Sequence, residues 1–286
     1  MPAPRATATP ALRVRLPGVT PQFSASLASV DGAVTLASEA TVPATDEGLL
    51  RGDGAFEVIR VYDGYPFALE EHLQRLERSA SNLRLPLDLE AVRADANRLL
   101  AHAGAGPDHE QLRIVITRGG RRLLLTERAP VGPEHVRLGS VTYTPTRLLD
   151  GVKSLSYAAN MLASRLAREQ GFDEALLVTP HGRVLEAPTS SVFWVKDGVV
   201  LTPPLDEHIL ASITRRIVIE QASAVERSCT LEEITAADEV FIASTTREVQ
   251  AVSAIDERTF EAPGPVTAVV AAAVGDRIRS ELPSPR

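Results

Sequence analysis

Apolar periodicity changes character near the middle of this 286-residue chain, and that change constrains the fold more than any single motif. In the first half, strand and helix signals take turns. Gly54–Tyr62 alternates at period two, is rich in Phe, Val and Ile, and ends at an Asp63-Gly64 turn, so it reads as a strand, with a second short strand through Phe67. Over Leu69–Leu83 the spacing becomes helical, with Leu73, Leu76, Ala80 and Leu83 on one face and Pro86 closing the segment. A second helix is expected over Leu89–Ala103, then strands over 112–117 and 136–143. After Pro145 and Gly151, which read as breakers, a helix rich in Ala and Leu over 157–170 is closed by Gly171, and short strands crowd together at Glu174–Val178, 183–186, 191–195 and Val199–Thr202. A helix over Ile213–Ala222, a strand over 239–243 and a closing helix over 266–282 complete the pattern. The expectation is an α+β protein: a flexible tail over 1–20, a small unit over 21–144, a connection over 145–152 and a larger unit over 153–286.

Composition serves mainly to exclude. The net charge of -7 and the lack of a basic stripe argue against a nucleic-acid partner. No apolar run reaches the roughly 20 residues needed to cross a bilayer, and residues 1–18 lack the compact apolar core of a secretory signal. The single cysteine, Cys229, excludes an internal disulfide, and the six histidines lack metal-ligand spacing. No metal site is therefore expected, and a reducing cytoplasm fits best.

Of the 30 lysines and arginines, only Lys153 and Lys196 are lysines. A GC-rich genome would favour arginine, yet arginine cannot stand in where an amine must become an imine. Lys196 lies in a Lys-Asp-Gly turn between two strand-like runs and reads as a surface residue. Lys153 sits where a loop enters a helix and has no such explanation. Chemistry with pyridoxal 5′-phosphate (PLP) needs a lysine for the aldehyde, an acid for the pyridine nitrogen and a cradle for the phosphate. Lys153 can serve as the first. Glu186, at the end of a short strand, can serve as the second, although a lone glutamate there is often a surface residue. Arg75, flanked by apolar helix neighbours, would need an anion if drawn against the core. The Ser/Thr-containing turn at Ser212-Ile213-Thr214 and the segment Ser244-Thr245-Thr246 suit a phosphate, and equally suit ordinary helix caps.

Six short segments occur together and in order: residues 51–57 (RGDGAFE), 72–76 (HLQRL), 153–157 (KSLSY), 171–176 (GFDEAL), 186–193 (EAPTSSVF) and 237–241 (ADEVF). Over about residues 31–255 the chain thereby resembles the class IV aminotransferase family, the fold type IV PLP enzymes, which includes D-amino-acid, branched-chain and (R)-amine transaminases and aminodeoxychorismate lyase. The resemblance implies a two-domain fold with a small α/β N-terminal domain and a larger, β-barrel-like C-terminal domain flanked by helices, assembled as a homodimer. It implies that Lys153 forms the Schiff base and acts as general acid/base, that Glu186 pairs with the pyridine nitrogen, and that Arg75 binds the phosphate. It further implies that Tyr157 hydrogen-bonds the cofactor's phenolic oxygen, and that Ile213 and Thr214 (amides), Thr245 (hydroxyl) and the neighbouring Ser244 complete the cradle. Ser244 replaces a frequent glycine, and Ser191 stands where asparagine is common.

Transaminase and lyase chemistry share these groups, so the side pocket must separate them. Period two puts Phe56, Val58 and Arg60 on one strand face, and the Val58/Arg60 pair resembles D-amino-acid aminotransferases and the lyase more than branched-chain enzymes. A basic loop carrying Arg121 and Arg122 could grip a substrate carboxylate, or could be a solvated hairpin. Thr246 completes the candidate substrate residues. The favoured reading is a transaminase moving an amino group from a D-amino acid or (R)-amine to a keto acid. Aminodeoxychorismate lyase is the alternative, followed by a branched-chain aminotransferase and a non-catalytic PLP-binding homologue.

Overall fold

The computed structural model describes residues 26–283, so the expected tail over 1–20 lies outside the described residues. The first sheet opens with a hairpin, β1 (Leu27–Val30) and β2 (Ala33–Leu36), whose Asp31-Gly32 turn has both central residues at positive φ, the geometry that matches strand twist. A short helix, α1 (Glu47–Arg51), precedes β3 (Gly54–Tyr62) and β4 (Tyr65–Pro66), joined by the Asp63-Gly64 turn. Then come α2 (Leu69–Leu83), α3 (Leu89–Ala103), β5 (Gln111–Thr117) and β6 (Arg122–Glu127). The strands lie in the order β2-β1-β6-β5-β3-β4. α2 ends before Pro86, at Arg84 in the left-handed region. The buried face of the sheet meets α2 and α3 through Ile59, Leu73, Leu76, Leu99, Leu112 and Ile114.

The second sheet starts earlier than the sequence suggests. β7 (Val136–Thr142), expected to close the first unit, instead pairs in parallel with β8 (Glu174–Val178), and α4 (Ala158–Glu169) forms the crossover between them. The change of sheet therefore falls between Glu127 and Val136, not within 145–152. Parallel pairing requires such a crossover, which local periodicity does not reveal. Residues 183–186 form no continuous strand, though the Val178–Val184 bridge and the backbone bonds of Leu177 to Leu185 and Glu186 lay them along β8. The remaining strands and helices are β9 (Ser191–Lys196), β10 (Val199–Thr202), α5 (Ile213–Ala222), β11 (Val225–Glu226), α6 (Leu231–Thr235), β12 (Glu239–Ser244), β13 (Glu248–Ile255), β14 (Arg258–Thr259) and α7 (Pro265–Glu281). The order is β11-β10-β9-β12-β13-β7-β8, with β14 on β13.

Phe193 and Phe241 are register partners on β9 and β12 and stack with centroids 4.9 Å apart. With Ile217, Val274 and Ile278 they seal α5 and α7 against one face of the sheet, each buried side chain of this size contributing about 1.5–3 kcal/mol. Trp194 anchors the opposite face. The two sheets are tied directly, for Tyr62 on β3 donates its hydroxyl to Glu248 on β13 at 2.7 Å. Among the described residues no helix is long and apolar enough to cross a membrane.

Candidate active site

A cavity of about 730 Å³ lies between the sheets, bordered by β3 and β5 on one side and by the 186–191, 208–212 and 244–247 segments on the other. That volume suits a small ligand with a cofactor-sized body. Lys153 reaches it from a stretch laid antiparallel along β3. Its backbone N–H donates to Ser79 Oγ at 3.1 Å, its carbonyl accepts from Phe56 N at 3.0 Å, and Leu155 N donates to Gly54 O at 2.9 Å. The close approach depends on Gly54, where an added Cβ would stand 2.4 Å from Ile116 O and 2.5 Å from Leu155 Cδ1. The Lys153 Nζ consequently lies 4.5 Å from the Phe56 ring centroid and 5.7 Å from that of Tyr157. Burial, and then the Arg75 guanidinium, depress its ammonium to about 8, against the opposing pull of Glu57 and Glu186.

Glu186 lines the same cavity. Its backbone is held on β8 by Leu177 N donating to its carbonyl at 2.9 Å, and its carboxylate accepts only a long contact from Leu210 N, 3.3 Å to each oxygen. Burial pushes this carboxyl up to about 7, although the Leu210 N–H and the Lys153, Arg215 and Arg75 charges pull the other way. Tyr157 caps the start of α4, one residue later than the helix start expected from sequence. It meets Phe56 edge to face at 5.3 Å and donates its hydroxyl to Pro188 O. Burial, reinforced by Glu186, raises its phenol well above the ordinary value and keeps it protonated.

Arg75, on α2, is buried and has found the anion it needs within the chain. Nε and Nη2 donate to the two oxygens of Glu57 at 2.7 Å each, and Nη1 donates to Ala211 O at 3.2 Å. His72, one turn away, also binds Glu57, at 2.8 Å. Burial alone would raise the Glu57 carboxyl, but Arg75 and then His72 outweigh it and hold it at about 2. Three of the five guanidinium N–H groups are thus committed and two remain, beside a cavity that Arg75 also lines.

At the start of α5, Ser212 Oγ accepts from Arg215 N at 3.2 Å. The amides of Ile213 and Thr214 are first-turn groups of the kind a helix leaves without internal partners. The Ile213 and Thr214 side chains border a second void of about 10 Å³ behind the main cavity. Ser244, Thr245 and Thr246 line the main cavity, and the Oγ atoms of Ser244, Ser190 and Ser191 are buried with no hydrogen-bond partner among the described residues. Unsatisfied buried hydroxyls beside a helix N-terminus and a half-committed arginine are a donor set that fits a phosphate.

Phe56 and Val58 line the cavity as period two predicts. The three arginines assigned with them are not brought there. Arg60 lies over the Tyr62 ring with Nη2 3.5 Å from Glu110, Arg121 pairs with Asp31, and Arg122 donates to Asp95 at 2.9 Å as the first residue of β6. Runs of charge show composition, not direction, and acids on neighbouring segments capture these side chains. The cations the cavity does receive are Arg113 and Arg247. Arg113 stands opposite Val58 in the β3–β5 register and bonds Glu127 at 3.0 Å. Its signal was an isolated arginine inside an otherwise apolar strand. Glu57 carried a similar signal, an acid within an apolar strand.

An amine of depressed pKa facing a carboxyl of raised pKa, next to a phosphate-sized donor set, is the chemistry of an enzyme that handles carbonyl groups on an anionic cofactor. Residues 54–255 match the family described as amino-transferase class IV, and the chain belongs to that family. It is 36% identical over 243 residues to a putative branched-chain-amino-acid aminotransferase of Methanocaldococcus jannaschii, covering 77% of this chain and 84% of the relative. It is 32% identical to a D-alanine aminotransferase of Bacillus licheniformis, covering 85% and 94%. Among solved structures, a hypothetical aminotransferase from Mycobacterium tuberculosis in a PLP-bound form superposes with a TM-score of 0.79 at 26% identity, covering 90% and 100%. The 4-amino-4-deoxychorismate lyase of Pseudomonas aeruginosa superposes at 0.74 with 30% identity, covering 90% and 99%. The fold is that of the fold type IV transaminases.

Proposed function

We propose that this enzyme is a PLP-dependent transaminase that moves an amino group from a D-amino acid or (R)-amine to a keto acid, with Lys153 as the residue that engages the cofactor. The observation that carries it is Lys153 itself: an amine pushed towards its neutral form, pinned by its backbone to β3 and opposed across the cavity by Glu186. PLP supplies an aldehyde and a protonatable ring that draws electrons from the substrate carbon. Everything else falls to the chain's own residues. Lys153, free to lose its proton near neutral pH, would hold the cofactor through its amine and would carry the proton of the substrate carbon on Nζ. Glu186 holds a proton at the ring nitrogen. Arg75, the Ile213 and Thr214 amides, Ser244 and the Thr245 hydroxyl hold the phosphate. Tyr157, whose hydroxyl donates to Pro188 O in this structure, would turn that donor to the cofactor's phenolic oxygen.

Phe56, Val58 and Thr246 bound the space left for substrate, beside Arg113, which Glu127 holds. The D-alanine aminotransferase relatives support the D-amino-acid reading. The lyase neighbour keeps a pyruvate-releasing reaction in view. We read the chain as two units meeting at the cavity, divided between Glu127 and Val136, and the protein as a cytoplasmic homodimer. The exposed Leu49 and Leu50 of α1 and Leu162 of α4 support the dimer. Purified protein given D-alanine with 2-oxoglutarate, and separately aminodeoxychorismate alone, decides the reaction. Amino transfer that depends on the acceptor is expected, whereas pyruvate released without any acceptor would make the enzyme a lyase.

A further inference from the structure

Arg247 is a cation that the site described above does not use. It lies on the turn leaving β12, where its N–H closes back on Ser244 O at 3.3 Å, and the next residue, Glu248, is held by Tyr62 from the other sheet. Nη2 donates to Glu174, a carboxylate only 2% exposed that also accepts from Ser164 Oγ at 3.2 Å. Nη1 is closed off from solvent and has no hydrogen-bond partner among the described residues. Arg113, the other cavity arginine, differs in two ways: Nε and Nη2 are both engaged by Glu127, and its guanidinium lies 5.9 Å from the Phe56 ring centroid.

A guanidinium anchored at one nitrogen and unsatisfied at another costs free energy until an acceptor arrives. The turn that carries Arg247 also presents Thr245 and Thr246 to the cavity. We propose that Arg247 is a specificity-determining residue through which the cavity reads a substrate carboxylate. Glu174 orients the fork, and the uncommitted Nη1 turns to the carboxylate of an amino or keto acid. A donor lacking that carboxylate leaves Nη1 unsatisfied and is selected against. The inference rests on the transaminase reading for its biological meaning, although the binding it requires does not depend on turnover.

Removing Arg247 alone strands Glu174 as a buried charge, so the informative variant is the double substitution Glu174→Gln/Arg247→Met, compared with wild type after both are loaded with PLP. Two readouts are needed: calorimetric titration with pyruvate, and the first half-reaction followed by cofactor absorbance with D-alanine or with (R)-2-butylamine, which has no carboxylate. Losing a charge-assisted hydrogen bond should lower the ratio of D-alanine to butylamine efficiency about 10- to 100-fold and weaken pyruvate binding by about 10-fold or more. Arg247→Lys, which keeps the charge, should recover part of both effects. A ratio within twofold of wild type, or equal losses for both donors with unchanged pyruvate affinity, overturns the proposal and leaves Arg247 as the counter-ion of Glu174. If the wild-type protein turns over neither donor, the transaminase reading fails, while the pyruvate titration still decides the role of Arg247.

Discussion

At the residue scale, the site is a set of buried charges that shift one another. Lys153 titrates near 8 because burial and Arg75 outweigh two carboxylates. The rate at which cofactor-free protein captures PLP should therefore rise with pH to a plateau with a midpoint near 8, followed by the growth of cofactor absorbance. A midpoint near 10 would mean that the amine is not perturbed. Glu57 shows the opposite sign. Its folded-state value of about 2 lies below the ordinary 4.5, so the stability it contributes is fully present above about 4.5 and disappears as pH falls towards 2. Glu57→Gln leaves Arg75 as a buried charge with one anionic partner fewer, and should cost about 3–5 kcal/mol in denaturant unfolding at pH 7. The scarcity of lysine made Lys153 legible in the sequence, and apolar helix neighbours made Arg75 stand out. The anion that Arg75 pairs with was not legible, because Glu57 lies in a different element and only the packing of α2 on β3 brings the two together. The assignment of Arg60, Arg121 and Arg122 to the cavity failed for the converse reason: residue type marked them as carboxylate binders, while Glu110, Asp31 and Asp95 determine where they point.

At the element scale, strong periodicity was readable. β3, α2, α3, β8, β10 and α5 follow from spacing, Asp-Gly turns and breakers. Gly171 does leave α4 with φ at 87°, as its place after the helix suggested. Weakly apolar strands were missed. β1, β2 and β13 contain Ala, Ser, Thr and Gln, and β1 and β13 also pair with strands remote in sequence, β6 and β7, although Asp31-Gly32 carries the same turn signal as Asp63-Gly64. The element that matters most for chemistry is the 153–155 stretch against β3, and its close approach relies on the absence of a side chain at position 54. Gly54→Ala should cost about 1–3 kcal/mol through overpacking. It should also reduce PLP retention, because relief of the clash moves the backbone that carries Lys153. Unchanged thermal stability together with unchanged cofactor retention would show that the approach is not tight.

At the scale of the whole molecule, the cavity exists because two sheets with separate cores face one another. Sequence suggested two units but drew the boundary after β7, since nothing local shows that Val136–Thr142 pairs with β8 and β13 across long separations. The Tyr62–Glu248 hydrogen bond bridges the sheets beside the Thr245–Arg247 turn. Tyr62→Phe should lower unfolding free energy by about 1.5–3 kcal/mol, as expected for a bond to a charged group. It should also raise KM for the keto acid more than it lowers kcat, because that turn is then less well fixed. Loss of stability with no change in KM would make the bond purely structural.

The central claim is that Lys153 is the amine that engages the cofactor aldehyde, and borohydride reduction of the PLP-loaded protein followed by peptide mass analysis tests it most directly. The account predicts a single phosphopyridoxyl mass shift on the peptide containing Lys153, absent from Lys153→Ala. A shift carried by Lys196, or no reducible adduct on protein that retains its cofactor, would contradict it.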